Sequence, residues 1–129
     1  MDTAILIASF RDRTARVGII GLGYVGLPLA LTFAEKGFAT VGFDVDPAKV
    51  EAIERGRSYL GHIPDAAIRD ARKLTATADF ARLADMDAII ACVPTPLAQG
   101  GTEPDMTYVV NSTEVIARHL RQGQMVVLE

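Results

Sequence analysis

Gly21-Leu22-Gly23-Tyr24-Val25-Gly26 places three glycines at the G-x-G-x-x-G spacing. Such a spacing arises readily by chance, so its flanks decide what it means. An apolar, β-branched run, Val17 to Ile20, precedes it, a stretch with helical apolar spacing follows, and Asp44 closes the next apolar run. That is the context a dinucleotide-binding turn requires. In such a turn Gly21 allows the tight passage from strand to helix. Gly23 leaves the backbone bare for a diphosphate, and Gly26 lets the helix pack closely on the sheet. The amides of Tyr24 and Val25 lie at the helix start, where unpaired N–H groups and the helix dipole favour negative charge.

Asp44 lies 18 positions beyond Gly26, close to the ~20-residue separation expected for a carboxylate that accepts hydrogen bonds from the adenosine ribose hydroxyls. Its charge would repel a 2′-phosphate, and no arginine follows at once to offset it. NAD is therefore expected over NADP. Asp46, ahead of Pro47, is the better helix N-cap of the two acids. Lys49 is a candidate to reach back over the adenosine, with a solvated helix lysine as the plain alternative. Val93, Pro94 and Thr95, at the end of a fourth apolar run, are expected to border the nicotinamide end, beside the point where the strand order reverses. No residue is assigned a catalytic or a metal-binding role. Cys92 sits inside an apolar run with no basic neighbour in sequence, which fits a buried small hydrophobe rather than a nucleophile. His62 and His119 have no partner at metal-ligand spacing and are read as surface or capping residues.

The elements that must position these residues follow a strand-then-helix rhythm. Ile5, Leu6, Ala8 and Phe10, followed by Arg11, Asp12 and Arg13, suggest a short amphipathic helix. Strands are expected at Val17–Ile20, Thr40–Phe43, Leu74–Thr77, Ala88–Val93 and, buried, Met125–Leu128. Helices are expected at Tyr24–Lys36, with Gly37 as its C′ residue, at Pro47 to about Arg55, and at Met106–Leu120, capped by Asp105. Pro94-Thr95-Pro96 forces an extended turn, and the polar loop Ala98–Pro104, with Gly100-Gly101, is expected to be mobile. The pattern predicts an α/β fold of the Rossmann type, a doubly wound parallel sheet with helices on both faces. Right-handed crossovers put its strands in the order 3-2-1-4-5.

Composition narrows the function classes. The chain has 129 residues, half of them hydrophobic and 22% charged, which suits one globular domain. We divide it into an N-terminal helical extension, residues 1–16, and a dinucleotide-binding domain, residues 17–129. A net charge of −3 offers no basic field for nucleic acid. No apolar run reaches the ~20 residues of a bilayer span, and the N-terminal stretch lacks the pattern of a secretory signal. The single cysteine excludes an intramolecular disulfide and fits a reducing compartment, so a cytoplasmic location is expected. Val126-Val127-Leu128-Glu129 reads as the middle of a strand, which suggests a fragment of a longer enzyme.

With those residues placed, the sequence resembles the UDP-glucose/GDP-mannose dehydrogenase family over nearly all of residues 17–129. The likeness runs through Val17 to Ala30, Gly42-Phe43-Asp44-Val45-Asp46, Val93-Pro94-Thr95-Pro96, Glu103 to Val109, and Val126 to Glu129. Tyr24 with Leu27-Pro28, and the V-P-T-P followed by Pro104-Asp105, are more specific than the glycines. Gly56-Arg57-Ser58-Tyr59-Leu60 and the Glu103-to-Val109 run look most like the branch acting on UDP-N-acetylglucosamine or UDP-N-acetylmannosamine. The resemblance implies that Tyr24, Val25, Asp44 and Thr95 are NAD contacts. It also implies oxidation of the C6 alcohol of a UDP-sugar to a carboxylate with two NAD, through a cysteine that the family carries in a later domain, and a homo-oligomer when full length. Two alternatives stay open. One is the cofactor domain of another NAD-dependent hydroxyacid or hydroxyacyl dehydrogenase, against which the Pro94-Thr95-Pro96 turn and the Pro104-Asp105 loop argue. The other is an NAD-sensing module without chemistry.

Overall fold

Val17, Gly18, Ile19 and Ile20 present no polar side chain to water, and the strand that contains them, β1 (Arg16–Ile20), lies at the centre of the sheet. In the computed structural model, which describes residues 2–129, β1 pairs in parallel with β2 (Ala39–Phe43) on one side. On its other side it pairs in parallel with β4 (Ala88–Ala91). The edges are β3 (Leu74–Thr77), beside β2, and β5 (Met125–Leu128), beside β4. The order β3-β2-β1-β4-β5 is the one expected from right-handed crossovers. A strand buried on both faces sends alternate side chains into two cores. Val17 and Ile19 join Leu22, Leu27, Ala30 and Ala34 on one face. Ile20 joins Val41, Phe43, Leu83, Met86 and Ile89 on the other.

The helices are α1 (Thr3–Arg11), α2 (Gly26–Glu35), α3 (Pro47–Glu54), α4 (Asp65–Asp70) and α5 (Thr107–His119). Asp46 caps α3 through the amide of Ala48 at 2.9 Å. Gly37 follows the C-cap of α2 with φ +97°. Asp2 caps α1 by accepting from the Ile5 amide, and Phe10 packs on Phe38, ring centroids 5.8 Å apart. The Ser9 carbonyl then accepts from both Thr14 and Ala15, which turns the chain into β1.

Four details depart from the sequence expectation. Helix α2 begins at Gly26, not Tyr24, so Tyr24 and Val25 belong to the turn ahead of it. Strand β4 ends at Ala91, not Val93. The Cys92 amide still donates to Ile20 at 2.7 Å, but Pro94 and Pro96 have no N–H with which to continue a ladder. Strand β5 is not buried: Val126 and Leu128 are 45% and 60% exposed, because β5 packs chiefly on β4 and no described helix packs closely over it. Helix α4 and a 3₁₀ turn at Phe80–Asp85 were not foreseen; six residues are too few for a helical period to stand out from chance.

Candidate functional site

The passage from β1 to α2 is tight. Gly21 takes φ +92°, and its amide donates to the Phe43 carbonyl at the tip of β2 at 2.8 Å. A Cβ on Gly21 would lie 2.5 Å from the Cys92 carbonyl oxygen, and one on Gly26 would lie 1.6 Å from the Gly21 carbonyl oxygen. Any side chain at these two positions would drive α2 off the sheet. Gly23 is different, because nothing lies within 4 Å of the place its Cβ would take. Among the described residues, the amides of Gly23, Tyr24, Val25 and Gly26 donate to no protein acceptor, and α2 has no side-chain cap. Four free donors at a helix start beside open space make an anion-binding nest. These residues fit the diphosphate of a dinucleotide, since a bare backbone is what lets it approach.

Asp44, at the end of β2, is only 8% exposed, and its carboxylate already serves the backbone. Oδ2 accepts from the Leu22 amide at 2.9 Å and Oδ1 from the Asp46 amide at 2.9 Å. The sequence offers Asp44 to the ribose hydroxyls, with a helix-cap or turn role as the alternative. A carboxylate has about four lone-pair sites, so two remain for hydroxyl donors. The Leu22 side chain is fully buried and packs over Gly42, where a Cβ would lie 2.7 Å from Leu22 Cδ2. A small residue in β2 is therefore the condition for the glycine turn to seat.

A cleft of about 410 Å³ opens beside the turn. It is lined from three segments: Gly23 and Tyr24; Asp46, Ala48 and Lys49; and Tyr59 with Leu60. The Lys49 ammonium stands 5.8 Å from the centre of the Tyr59 ring, within cation–π range. The Tyr24 ring, 77% exposed, stacks on His62 at 6.0 Å and 8°. Tyr59 Oη donates to the Leu22 carbonyl. Burial, and then the charges of Asp44 and Asp46, hold the Tyr59 phenol well above its ordinary range. Sequence reasoning gave Tyr59 no part in the site. Nothing in its spacing from the glycines marks it, because the segment after α3 reaches the turn only through the fold.

The residues expected at the nicotinamide end stand apart from this cleft. Val93 is half-buried against the core that holds Phe43, and Pro94 and Thr95 are exposed beyond β4. Gly21 links the two regions by lying against the Cys92–Val93 backbone. The polar loop after Pro96 is tied at its base, where Ala98 donates to Glu103 at 2.8 Å and Asp105 to Pro96 at 2.6 Å. Asp105 then accepts from both the amide and the hydroxyl of Thr107, which lowers its carboxyl pKa and caps α5 from one residue ahead of Met106.

Cys92 is half-buried. Burial, then the Glu129 carboxylate, pushes its thiol from an ordinary 9.0 up to about 11, the wrong direction for a nucleophile. Iodoacetamide at pH 8.5 should therefore alkylate the native chain far more slowly than the urea-unfolded chain, and the native rate should climb as pH passes through about 11. Equal rates at pH 8.5 would contradict the shift. The same sign holds for stability: the raised value favours the folded state fully below 9.0 and is lost as pH rises through about 11. Asp44→Asn offers a second test. An amide cannot accept at both positions, so its NH2 would face a backbone N–H, and the variant should lose about 1–3 kcal/mol of stability in urea without any ligand. Unchanged stability would free Asp44 of its structural task.

Comparison with known proteins agrees with this geometry. Residues 15–129 match the profile described as UDP-glucose/GDP-mannose dehydrogenase family, NAD binding domain. The UDP-N-acetyl-D-mannosamine dehydrogenase of Escherichia coli (strain K12) is 37% identical over 119 residues, covering 89% of this chain and 27% of that protein. The UDP-N-acetyl-D-glucosamine 6-dehydrogenase of Pseudomonas aeruginosa is 33% identical over 114 residues, covering 88% and 26%. The crystal structure of a ternary complex of GDP-mannose dehydrogenase from Pseudomonas aeruginosa superposes with a TM-score of 0.82 at 30% identity, over 88% of this chain and 28% of that one. The chain thus spans about a quarter of the length of these curated relatives. With its parallel sheet, its three-glycine turn and these matches, the chain belongs to the UDP-glucose/GDP-mannose dehydrogenase family and forms the NAD-binding domain of that family.

Proposed function

We propose that this chain is the coenzyme-holding part of an enzyme that oxidises the C6 alcohol of a UDP-N-acetylhexosamine, or of UDP-glucose, to a carboxylate. The observation that carries the reading is the set of four unpaired amides, Gly23 to Gly26, at the uncapped start of α2. In this reading they receive an anion, and no side chain competes for the space at Gly23. Alcohol to carboxylate is a four-electron oxidation, so two NAD are consumed. When bound, NAD supplies the hydride acceptor; the protein contributes binding, orientation and electrostatics.

In this reading the turn, with Gly21 and Gly26 setting its shape and Gly23, Tyr24 and Val25 its donors, holds the diphosphate. The two free lone-pair sites of Asp44 take the ribose hydroxyls, and its charge disfavours a 2′-phosphate. Lys49 borders the adenosine side of the cleft. Val93, Pro94 and Thr95 lie toward the nicotinamide. Residues 1–16 are a helical extension and 17–129 the domain proper. The chain by itself binds NAD without turnover, because no residue in it is assigned to the chemistry. The full-length enzyme is a cytoplasmic homo-oligomer that takes a UDP-sugar. The names of the relatives favour an N-acetylhexosamine.

Gly23→Val separates this reading from a purely structural glycine turn. Its side chain enters open space, so the thermal midpoint should hold, while NAD affinity should fall by about tenfold or more, ~1.4 kcal/mol. Gly26→Ala should instead lower the midpoint. In calorimetry the unaltered chain should favour NAD over NADP by a similar factor. A Gly23→Val variant that bound NAD normally would move the diphosphate away from this turn.

A further inference from the structure

One residue of the glycine turn, Leu22, is held through the two peptides that flank it by residues distant in sequence. The Leu22 N–H donates to Asp44, 22 residues on, and the Leu22 carbonyl accepts from Tyr59, 37 residues on. A peptide unit is planar and trans, so its C=O and N–H point in opposite directions. When Tyr59 fixes the Leu22 carbonyl it therefore also fixes the Gly23 N–H, the first of the four unpaired amides. When Asp44 fixes the Leu22 N–H it likewise fixes the Gly21 carbonyl, against which Gly26 packs. Gly23 has no side chain, and nothing lies within 4 Å of its Cβ position, so packing does not set the direction of this amide. A glycine left to itself would sample widely.

We propose that Tyr59 is a positioning residue for the diphosphate site, orienting the Gly23 amide by clamping the Leu22–Gly23 peptide from outside the turn. This rests on the coenzyme reading above and deepens it. Several contacts hold Tyr59 in place to do so. It is half-buried, Lys49 lies over its ring, and the same segment makes a second contact with the turn where His62 stacks on Tyr24. Burial and the nearby Asp44 and Asp46 keep the phenol protonated, so it remains a donor. Donors already aimed at the ligand site lower the ordering cost of binding. Tyr59 thus strengthens diphosphate binding without touching the ligand.

Tyr59→Phe in the whole chain removes the hydroxyl and keeps the ring. NAD and ADP-ribose, followed by calorimetry, should both weaken by about five- to tenfold, because binding must then order the Gly23 amide that the clamp had held in place. Adenosine, which has no diphosphate, should bind as before in a chemical-shift titration, and the thermal midpoint should fall by only about 2–6 °C, the cost of one intramolecular hydrogen bond. In the ligand-free chain the Gly23 amide should shift and exchange faster with solvent. Tyr59→Leu should reproduce the NAD loss. Unchanged NAD affinity in Tyr59→Phe would overturn the proposal, and so would a parallel loss of adenosine binding, which would make the residue a direct ligand contact. If the unaltered chain bound neither NAD nor ADP-ribose, the coenzyme reading would fall. The Gly23 amide of the free variant would then still decide whether Tyr59 holds the turn.

Discussion

Gly26 sits so close to the Gly21 carbonyl that a methyl group there would lie 1.6 Å from its oxygen, and the rest of the site depends on this approach. It brings the start of α2 down onto the end of β1, and the helix emerges with Val25, whose side chain carries no acceptor, at its N-cap. The amides that a Ser or Asp would ordinarily satisfy are left free. An unmet hydrogen-bonding demand at a helix start is costly when buried, but here it faces solvent-filled space at Gly23, where an anion can meet it. The feature that tightens the fold is thus the one that creates the binding capacity.

Such a close approach needs a rigid base. The central position of β1, with β2 and β4 on either side, supplies it. Leu22 carries the turn's only buried large side chain, fully enclosed above Gly42, while the Gly21 amide is fastened to the Phe43 carbonyl. Packing therefore anchors one side of the turn and hydrogen bonds the other. Asp44 links the two, because a single carboxylate ties the turn to the end of β2 and also organises the entry to α3 through the Asp46 amide.

The electrostatics of the site are local. With a net charge of −3 the protein has no long-range attraction for a dianionic diphosphate, and Lys49 is the one cationic side chain lining the cleft. Backbone dipoles do what arginines do elsewhere. Their strength depends on aim more than on charge, which is why the orientation of a single peptide acquires functional weight. An acidic residue at the end of β2 is compatible with this design, since its carboxylate is already engaged by the Leu22 and Asp46 amides.

The sequence by itself determined the sheet order, the glycine turn, the Asp46 cap and the kind of ligand. Each of these follows from local rules: β-branched runs for strands, glycine where a Cβ cannot fit, a short acid ahead of a helix. It misjudged β5 as buried, because an apolar strand looks the same in sequence whether or not a neighbour covers it. It offered Asp44 to the ribose, with a cap or turn role as the alternative, because spacing cannot reveal that Leu22 and Asp46 would present their amides to the same carboxylate. It gave Tyr59 no part in the site. Only the tertiary structure decided that Tyr59 would meet the glycine turn 37 residues away. The physical reason is that a contact between segments leaves no period in the chain that makes it; it exists only once the crossover from β2 has folded back over the carboxyl end of β1.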